Sequence, residues 1–420
     1  MKVLFITQTF FPKHKGGTEV YLLNLCKILQ AQNVQCKIIC TDSGNEEAES
    51  YSYESISIET ISPTENIGYK VLSVLKTEEY NILHIHTLGG RIDNTFLAFL
   101  KSKGIAYFFT PHLVGNFCLN GGRLQYKNRK NCNGYVSIIK CQTCISGVNE
   151  GLHFIFKNKM AQFILQRIIP GNLSRKWFSK YHFLARMMKD RITMIKEGNV
   201  TIVAVSEWYA GVLKLNGCKN VSYIPQGVNP LFLEESKIAP GVKEGFSWTF
   251  IGRLSKEKGI NELVEVFINN ALPEDRLNFI FFAKEVTDDF EEMILRKVLS
   301  HANIRVYRNS SPEKVFMLLK ESDCLVVPSK VCEMAPLVFQ EAFVCGVPVL
   351  ISNYIREDIV SKKLGLQFDY NKENDFDQKF NFIRSAKRDI LFSGLSNYKK
   401  SSFEDVAIKQ LGLYKAAIKE

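Results

Sequence analysis

Apolar and polar positions along this chain fall into two rhythms that take turns. "KVLFIT" (2–7) is β-branched and aliphatic, and "TEVYLLNLCKILQAQ" (18–32) follows with apolar residues at helical spacing. "CKIICT" (36–41), "NILHIHTL" (81–88) and "AYFFTPH" (106–112) read as further strands. "VTIVAVS" (200–206) leads into a helix, "EWYAGVLKLNG", closed by Gly217. A stretch rich in Gly, Pro and charge interrupts the rhythm at about residues 226–246, and then it restarts. "SWTFIGRL", "LNFIFFA", "CLVVPS" and "VPVLIS" read as strands; "INELVEVFINNA", "KVFMLLKESD" and residues 336–345 read as helices. Strands apolar on both faces and separated by helices belong to a parallel sheet covered on two sides. The pattern predicts an α/β chain of two doubly wound lobes, with ligands beyond the carboxyl ends of the strands, in the cleft between lobes.

Length agrees with the pattern: 420 residues are too many for one core, and two domains of about 200 residues are the natural division. A hydrophobic share of 46% with 12% aromatic excludes a disordered chain. The net charge of +11 calls for an anionic partner: nucleic acid, an acidic membrane face or a phosphorylated small molecule. No apolar run approaches the roughly 18 residues that span a bilayer, and "MKVLFITQTFFPKH" has too short an apolar core for a secretory signal. Eleven cysteines, odd in number and scattered, argue against a secreted disulfide scaffold and for a reducing compartment. The expected location is cytoplasmic, peripheral on the inner face of a membrane.

Two carboxylates carry the first chemistry. Glu333 and Glu341 lie in "CEMAPLVFQEAFVCGVPVL" (332–350) with seven residues between them. Pro336 suits a first helical turn, and Gly346 followed by Pro348 stops the helix. Glu341 is flanked by Leu337, Val338, Phe339, Ala342, Phe343 and Val344, so the helix reads as buried on most sides. A carboxylate there is either a structural group with a backbone or Arg partner, or a ligand group. Eight residues of helix separate the two by about 12 Å, beyond the roughly 5–9.5 Å of a glycosidase pair. Each glutamate then meets a different part of one extended ligand, and the helix start between them offers Leu337 and Val338 N–H groups to a phosphate. Hydroxyls at both ends and phosphate in the middle describe a nucleotide-sugar.

Arg253 and Lys258 follow a predicted strand, flanked by Gly252 and Gly259, and two cations so placed can clamp a diphosphate. Gly16 and Gly17 precede the first helix and permit close backbone approach to a ligand. No G-x-G-x-x-G fingerprint accompanies them, which argues against a dinucleotide oxidoreductase. His112 ends a predicted strand and points to the cleft, whereas His84 and His86 share one side of theirs as packing or cleft-lining residues. Asp375 and Asp377 have D-x-D spacing, but in a late polar stretch with no strand–turn context, so it is read as incidental.

"PSKVCEMAPLVFQEAFVCGVPVLIS" resembles the E-x7-E region of the retaining glycosyltransferases of family 4, which have the GT-B fold. "FIGRLSKEKGI" resembles that family's Gly-Arg-x4-Lys-Gly segment, "FFPKHKGGTEVYLLNL" its Gly-Gly loop and "VTIVAVSEW…YIPQGVNP" its interdomain passage. The matches keep family order from residue 2 to about residue 352. The resemblance implies two Rossmann-like domains facing across a cleft: 1–227 for the acceptor, 228–395 for the donor, and a helix in 396–420 crossing back. It implies that Glu333 contacts the transferred sugar, that Glu341 binds the ribose, that Arg253 and Lys258 stabilise the leaving diphosphate, and that His112 is catalytic. The implied activity is retaining transfer from a UDP- or GDP-type nucleotide-sugar to a saccharide, lipid-linked acceptor in surface polysaccharide biosynthesis. A nucleotide-sugar 2-epimerase and a non-catalytic nucleotide-sugar-binding scaffold are the alternatives. The chain departs from the family at Met334, Ala335 and Pro336, where glycine is frequent, and at Arg308 and Asn309 in the base-contacting turn.

Two further segments stand apart. Cys118, Cys132, Cys141 and Cys144 fall in a Gly-, Asn- and Lys-rich insertion (115–146) and form either a structural zinc site or a set of reduced thiols. No cofactor is expected for catalysis. Residues 151–197 hold ten Lys and Arg against Asp190 and Glu197, interleaved with Phe154, Phe156, Phe163, Trp177, Phe178, Tyr181 and Phe183. These are either basic amphipathic helices on anionic lipid or a solvated face; no nucleic-acid module accompanies the charge, so nucleic acid is not expected as a partner.

Overall fold

The computed structural model describes residues 1–42, 48–120, 132–146, 171–233, 244–283, 288–386 and 388–419. It divides into two compact units, Met1–Pro225 with Val406–Glu420, and Gln226–Asp405.

The first unit holds an eight-stranded sheet: β1 Lys2–Thr7, β2 Gln35–Cys40, β3 Ser50–Tyr53, β4 Ile56–Thr60, β5 Ile82–Ile85, β6 Tyr107–Phe109, β7 Val200–Ala204 and β8 Val221–Tyr223. Their order is β3-β4-β2-β1-β5-β6-β7-β8. Every pairing is parallel except the β3–β4 hairpin, whose turn residues Glu54 and Ser55 both have positive φ (48° and 63°), as a two-residue hairpin turn of matching twist requires. From β1 the chain winds to β2 and β4 on one side and then to β5 through β8 on the other, so the switch of direction falls between β1 and β5.

The second unit repeats the plan with β9 Ser247–Arg253, β10 Arg276–Phe282, β11 Ile304–Arg308, β12 Cys324–Val327, β13 Val349–Ser352 and β14 Gly365–Phe368. The order β11-β10-β9-β12-β13-β14 is parallel throughout, with its switch between β9 and β12. Alternate residues of each strand serve opposite faces. Trp248 and Phe250 of β9, with Cys324 and Val326 of β12, join the core on one side of the sheet. Ile251, Leu325 and Val327 join the core on the other. Continuous apolar strands are the sequence expression of this double burial.

The expected doubly wound α/β architecture is thus present in both units. The pattern was silent on β3, β4, β8, β11 and β14. In β4 buried and accessible positions alternate, so a strand covered on one face lacks the unbroken apolar run that marks β1 or β12.

The chain returns to the first unit at its end. Val228 N–H donates to Ser401 O at 2.9 Å, and helix Phe403–Lys419 then buries Tyr414 fully. Among the described residues no helix is long and apolar enough to cross a membrane. Of the basic segment, helix Gly171–Glu197 is described, whereas Phe154, Phe156, Phe163 and the side chains of Trp177 and Phe178 lie outside the described residues.

Candidate active site

Each unit presents a cluster at the switch point of its sheet. In the second unit β9 ends at Arg253, which is exposed, and the chain makes a short 3-10 turn at Lys256–Lys258 before helix Ile260–Asn270. Gly259 joins turn to helix with φ +65°, and a Cβ there would lie 2.0 Å from Pro328 O, so only glycine lets the chain pass β12 this closely. That passage sets Lys258 beside the segment leaving β12. Lys258 Nζ lies 2.6 Å from Glu333 Oε1, with the two side chains 22% and 15% exposed. Ser329 donates its hydroxyl to the same oxygen. Lys330 pairs with Glu262 and donates its N–H to Glu257 O at 2.7 Å, tying the segment after β12 to the one after β9.

From Glu333 the chain reaches helix Leu337–Val344 through Met334, Ala335 and Pro336. Pro336 is the residue before the helix, with ψ 130°, rather than its first helical residue. Ala335 has φ +43°, a left-handed conformation that costs an L-residue about 1–2 kcal/mol. Its N–H donates to Glu357 Oε1 at 3.1 Å. Ala335 thus occupies, with a side chain, a backbone conformation that glycine adopts without strain. Asn309, the other departure, has φ 49° and bonds Ala283 through both its amide oxygen and its nitrogen, at 3.1 and 2.9 Å. Asparagine tolerates this conformation, so the turn after β11 holds a positive φ without glycine.

The helix itself corrects the expectation of burial on most sides. Phe339, Ala342 and Phe343 are buried, while Leu337, Val338, Glu341 and Val344 are partly exposed. The second apolar face is half-buried, and Glu341 lies on it with no side-chain hydrogen bond among the described residues. Burial pushes the Glu341 carboxyl up to about 7. The structural-partner reading of Glu341 finds no partner here. Asp375 and Asp377, by contrast, are both engaged: Asp375 Oδ2 accepts Asp369 N–H at 2.7 Å and Asp377 Oδ1 accepts Asn270 Nδ2–H at 2.6 Å.

In the first unit Gly16 caps helix Gly17–Ala31 in extended backbone (φ −147°). A Cβ on Gly16 would meet Glu19 Oε2 at 2.7 Å, and one on Gly17 would meet nothing within 4 Å. Thr9 holds Glu19 from the loop after β1, at 2.6 Å. On the far side of the switch point three histidines form a buried row. His84, on β5, lies between Tyr414 Oη (2.5 Å from Nδ1) and Thr110 Oγ1 (2.8 Å from Nε2). His86 follows β5, and its Nδ1 lies 3.1 Å from His112 Nε2, the two rings stacked at 5.3 Å. Burial lowers the pKa of all three, His112 to about 3, so the row is neutral at physiological pH. His86 Nε2 is buried without a hydrogen-bond partner. Of the two readings, packing or cleft-lining, His84 and His86 are fully buried as packing residues are, and they connect the last helix to His112. Their shared side on one strand was legible, but Tyr414, 330 residues along the chain from His84, had no sequence signal.

Cys118, Cys132, Cys141 and Cys144 line one pocket of about 30 Å³. Burial is the first cause that pushes Cys144 up to about 12, and the neighbouring thiols of Cys118, Cys132 and Cys141 add to it. None of the eleven cysteines is in a disulfide. Part of the insertion, residues 121–131, lies outside the described residues.

Residues 234–387 match the model of the glycosyl transferases group 1, and residues 9–108 that of the glycosyl transferase 4-like domains. No curated protein sequence matches the chain. Among solved structures, HepE of Anabaena in complex with UDP superposes with a TM-score of 0.61 at 12% identity, covering 99% of this chain and 100% of that one. The catalytic domain of starch synthase IV from Arabidopsis thaliana, bound to ADP and acarbose, gives 0.58 at 14%, covering 100% and 99%. A glycosyltransferase from Rickettsia africae gives 0.60 at 13%, covering 100% and 99%. At such identities the likeness establishes the fold, the two-domain GT-B architecture.

Proposed function

Since the chain is a glycosyltransferase of the GT-B fold, we propose that it moves a sugar, with retention of anomeric configuration, from a UDP- or GDP-type nucleotide-sugar to a lipid-linked saccharide acceptor in surface polysaccharide biosynthesis. The second unit takes the donor and the first takes the acceptor. The observation that carries this reading is the Lys258–Glu333 pair at 2.6 Å, held at the carboxyl ends of β9 and β12 where doubly wound sheets bind nucleotides. HepE binds UDP and UDP-glucose, which favours a nucleotide-sugar here as well.

In this reading Arg253 and Lys258 neutralise the diphosphate as it departs, a role for charge placed in advance of the reaction. The Leu337 and Val338 N–H groups, at a helix start with no side-chain cap, add the dipole of the helix. Glu341 accepts hydrogen bonds from the ribose hydroxyls. Glu333, oriented by Lys258 and Ser329, contacts the transferred sugar. A diphosphate oxygen takes the proton of the acceptor hydroxyl, which attacks on the face the diphosphate leaves. His112, neutral in its buried row, offers a hydrogen bond rather than a charge.

The lipid-linked acceptor is supported by the helix Gly171–Glu197. Lys180, Phe183 and Arg186 are exposed and three residues apart, a cationic and aromatic stripe suited to an anionic bilayer. Thermal-shift titration with UDP-, GDP- and ADP-sugars, followed by product analysis, tests the whole. One donor class should stabilise the protein and yield a transferred sugar. Glu333→Ala should keep the donor shift and lose about 100-fold or more of transfer. Full transfer by that variant overturns the assignment, and an epimerised donor without transfer overturns the reaction.

A further inference from the structure

The four-cysteine pocket lies outside the donor and histidine clusters and has no part in the reaction described above. Its cysteines come from three places. Cys118 follows the short turn Val114–Asn116, six residues beyond His112. Cys132 begins the stretch leading to helix Ile138–Ser146, which carries Cys141 and Cys144 three residues apart and so on one face. The fold has brought a loop cysteine, a second loop cysteine and a helical C-x2-C onto one cavity.

Two details distinguish this from a chance gathering. Cys132 Sγ accepts the N–H of Gly134 at 3.4 Å, a backbone contact of the kind that orients a ligand sulfur. Gly134 reaches it with φ +81° and packs against Val212, which a Cβ would approach to 2.6 Å. The stretch is also anchored: Asn216 accepts Val136 N–H at 2.8 Å and donates to Gly134 O at 3.0 Å. One wall of the pocket is therefore fixed to the first unit.

We infer that these four cysteines bind one zinc ion as a structural, four-coordinate site that ties the segment beyond His112 to the helix Ile138–Ser146. Zinc takes four thiolates tetrahedrally and leaves no open position, so the site is a clip and not a second catalytic centre. Each thiol gives up its proton on binding: Zn²⁺ and four R–SH become the tetrathiolate complex, of charge −2, and four protons go to solvent. As the side chains stand, no three metal-binding groups among the described residues share one ligand sphere, so binding zinc entails reorientation of the cysteine side chains that line the pocket.

The full chain, expressed with zinc in the medium and purified with reductant but no chelator, tests this by elemental analysis. About one zinc per chain is expected, released in step with mercurial titration of four thiols. Cobalt in its place should show thiolate-to-metal charge-transfer absorption. Cys118→Ser and Cys144→Ser should each lose the metal, and Cys218→Ser, away from the pocket, should keep it. Where a pocket variant fails to fold, mercurial release from the unmodified protein still decides the matter. Zinc absent at purification, zinc retained without Cys118 and Cys144, a Cys141–Cys144 disulfide by mass spectrometry, or iron with sulfide in place of zinc each overturn the inference.

Discussion

Replacing Glu341 by glutamine tests the donor site through two opposed effects of one carboxylate. Glu341 lies on the half-buried face of the helix Leu337–Val344, and burial of its carboxyl raises it from 4.5 to about 7. That difference corresponds to on the order of 3 kcal/mol against the charged form; the group is partly exposed, so screening reduces it to about 1–2 kcal/mol. The sign follows from the raised value. Stability is fully present below pH 4.5 and is lost as pH rises through about 7, because the unfolded chain releases this proton first. Glu341→Gln carries no such loss, so at pH 8 the variant without ligand should melt roughly 3–6 °C higher than the wild type, and at pH 4.5 no higher. Donor binding runs the other way. Ribose hydroxyls donate to the ionised carboxylate, so wild-type affinity should weaken roughly tenfold from pH 8 to pH 6, with a proton released on binding. The glutamine variant should bind about 1 kcal/mol more weakly at pH 8 and show no pH dependence from this position. Differential scanning fluorimetry from pH 4.5 to 8.5, with calorimetric titration of the nucleotide-sugar in two buffers of different ionisation enthalpy, reads both. Parallel melting profiles together with pH-independent donor affinity in the wild type would refute the placement of Glu341 against the ribose.

Lys258→Ala removes the partner of Glu333 at 2.6 Å and one cation of the proposed clamp, so transfer should fall about 10²–10³-fold, read in a coupled nucleotide-release assay; a loss under tenfold would remove Lys258 from the chemistry. Ala335→Gly relieves a left-handed residue (φ +43°) but adds unfolded-state entropy of about 0.4–1 kcal/mol, so urea denaturation should show stability unchanged or slightly higher; a loss above about 1 kcal/mol would contradict the conformation, given that strain on an L-residue there is worth about 1–2 kcal/mol. Tyr414→Phe deletes the hydroxyl 2.5 Å from His84 Nδ1 and leaves a buried ring nitrogen without its partner, a cost of about 1–3 kcal/mol visible as a lower melting temperature. Because His112 is held near 3, the pH–rate profile should carry no inflection near 6.5 that disappears in His112→Gln.

The sequence displayed what depends on periodicity and hid what depends on distance. Strands buried on both faces, such as β1 and β12, appear as unbroken apolar runs and could be read directly, as could the cations after β9 and the carboxylate after β12. Strands covered on one side, such as β4 with its alternation, could not. The pairing of Lys258 with Glu333 joins residues 75 apart, and that of His84 with Tyr414 joins residues 330 apart. Neither leaves a local mark, because the sheet order that brings them together is a property of the whole winding.

The departures at Ala335 and Asn309 show where reading a motif by letters loses information. A glycine in such a place is informative for its backbone, which accepts positive φ at no steric cost. Ala335 and Asn309 keep that backbone at 43° and 49°, one with its N–H fixed by Glu357 and the other with its amide fastened to Ala283. Both contacts are long-range, and each compensates locally for the strain that the missing glycine would have avoided. The chain thereby runs from Glu333 to the helix start with a methyl group, rather than bare backbone, at position 335. On the proposed seating of the diphosphate at this helix start, removing the Ala335 Cβ by substitution with glycine should tighten donor binding even where it leaves folding stability unchanged, and unchanged affinity by calorimetric titration would refute that seating.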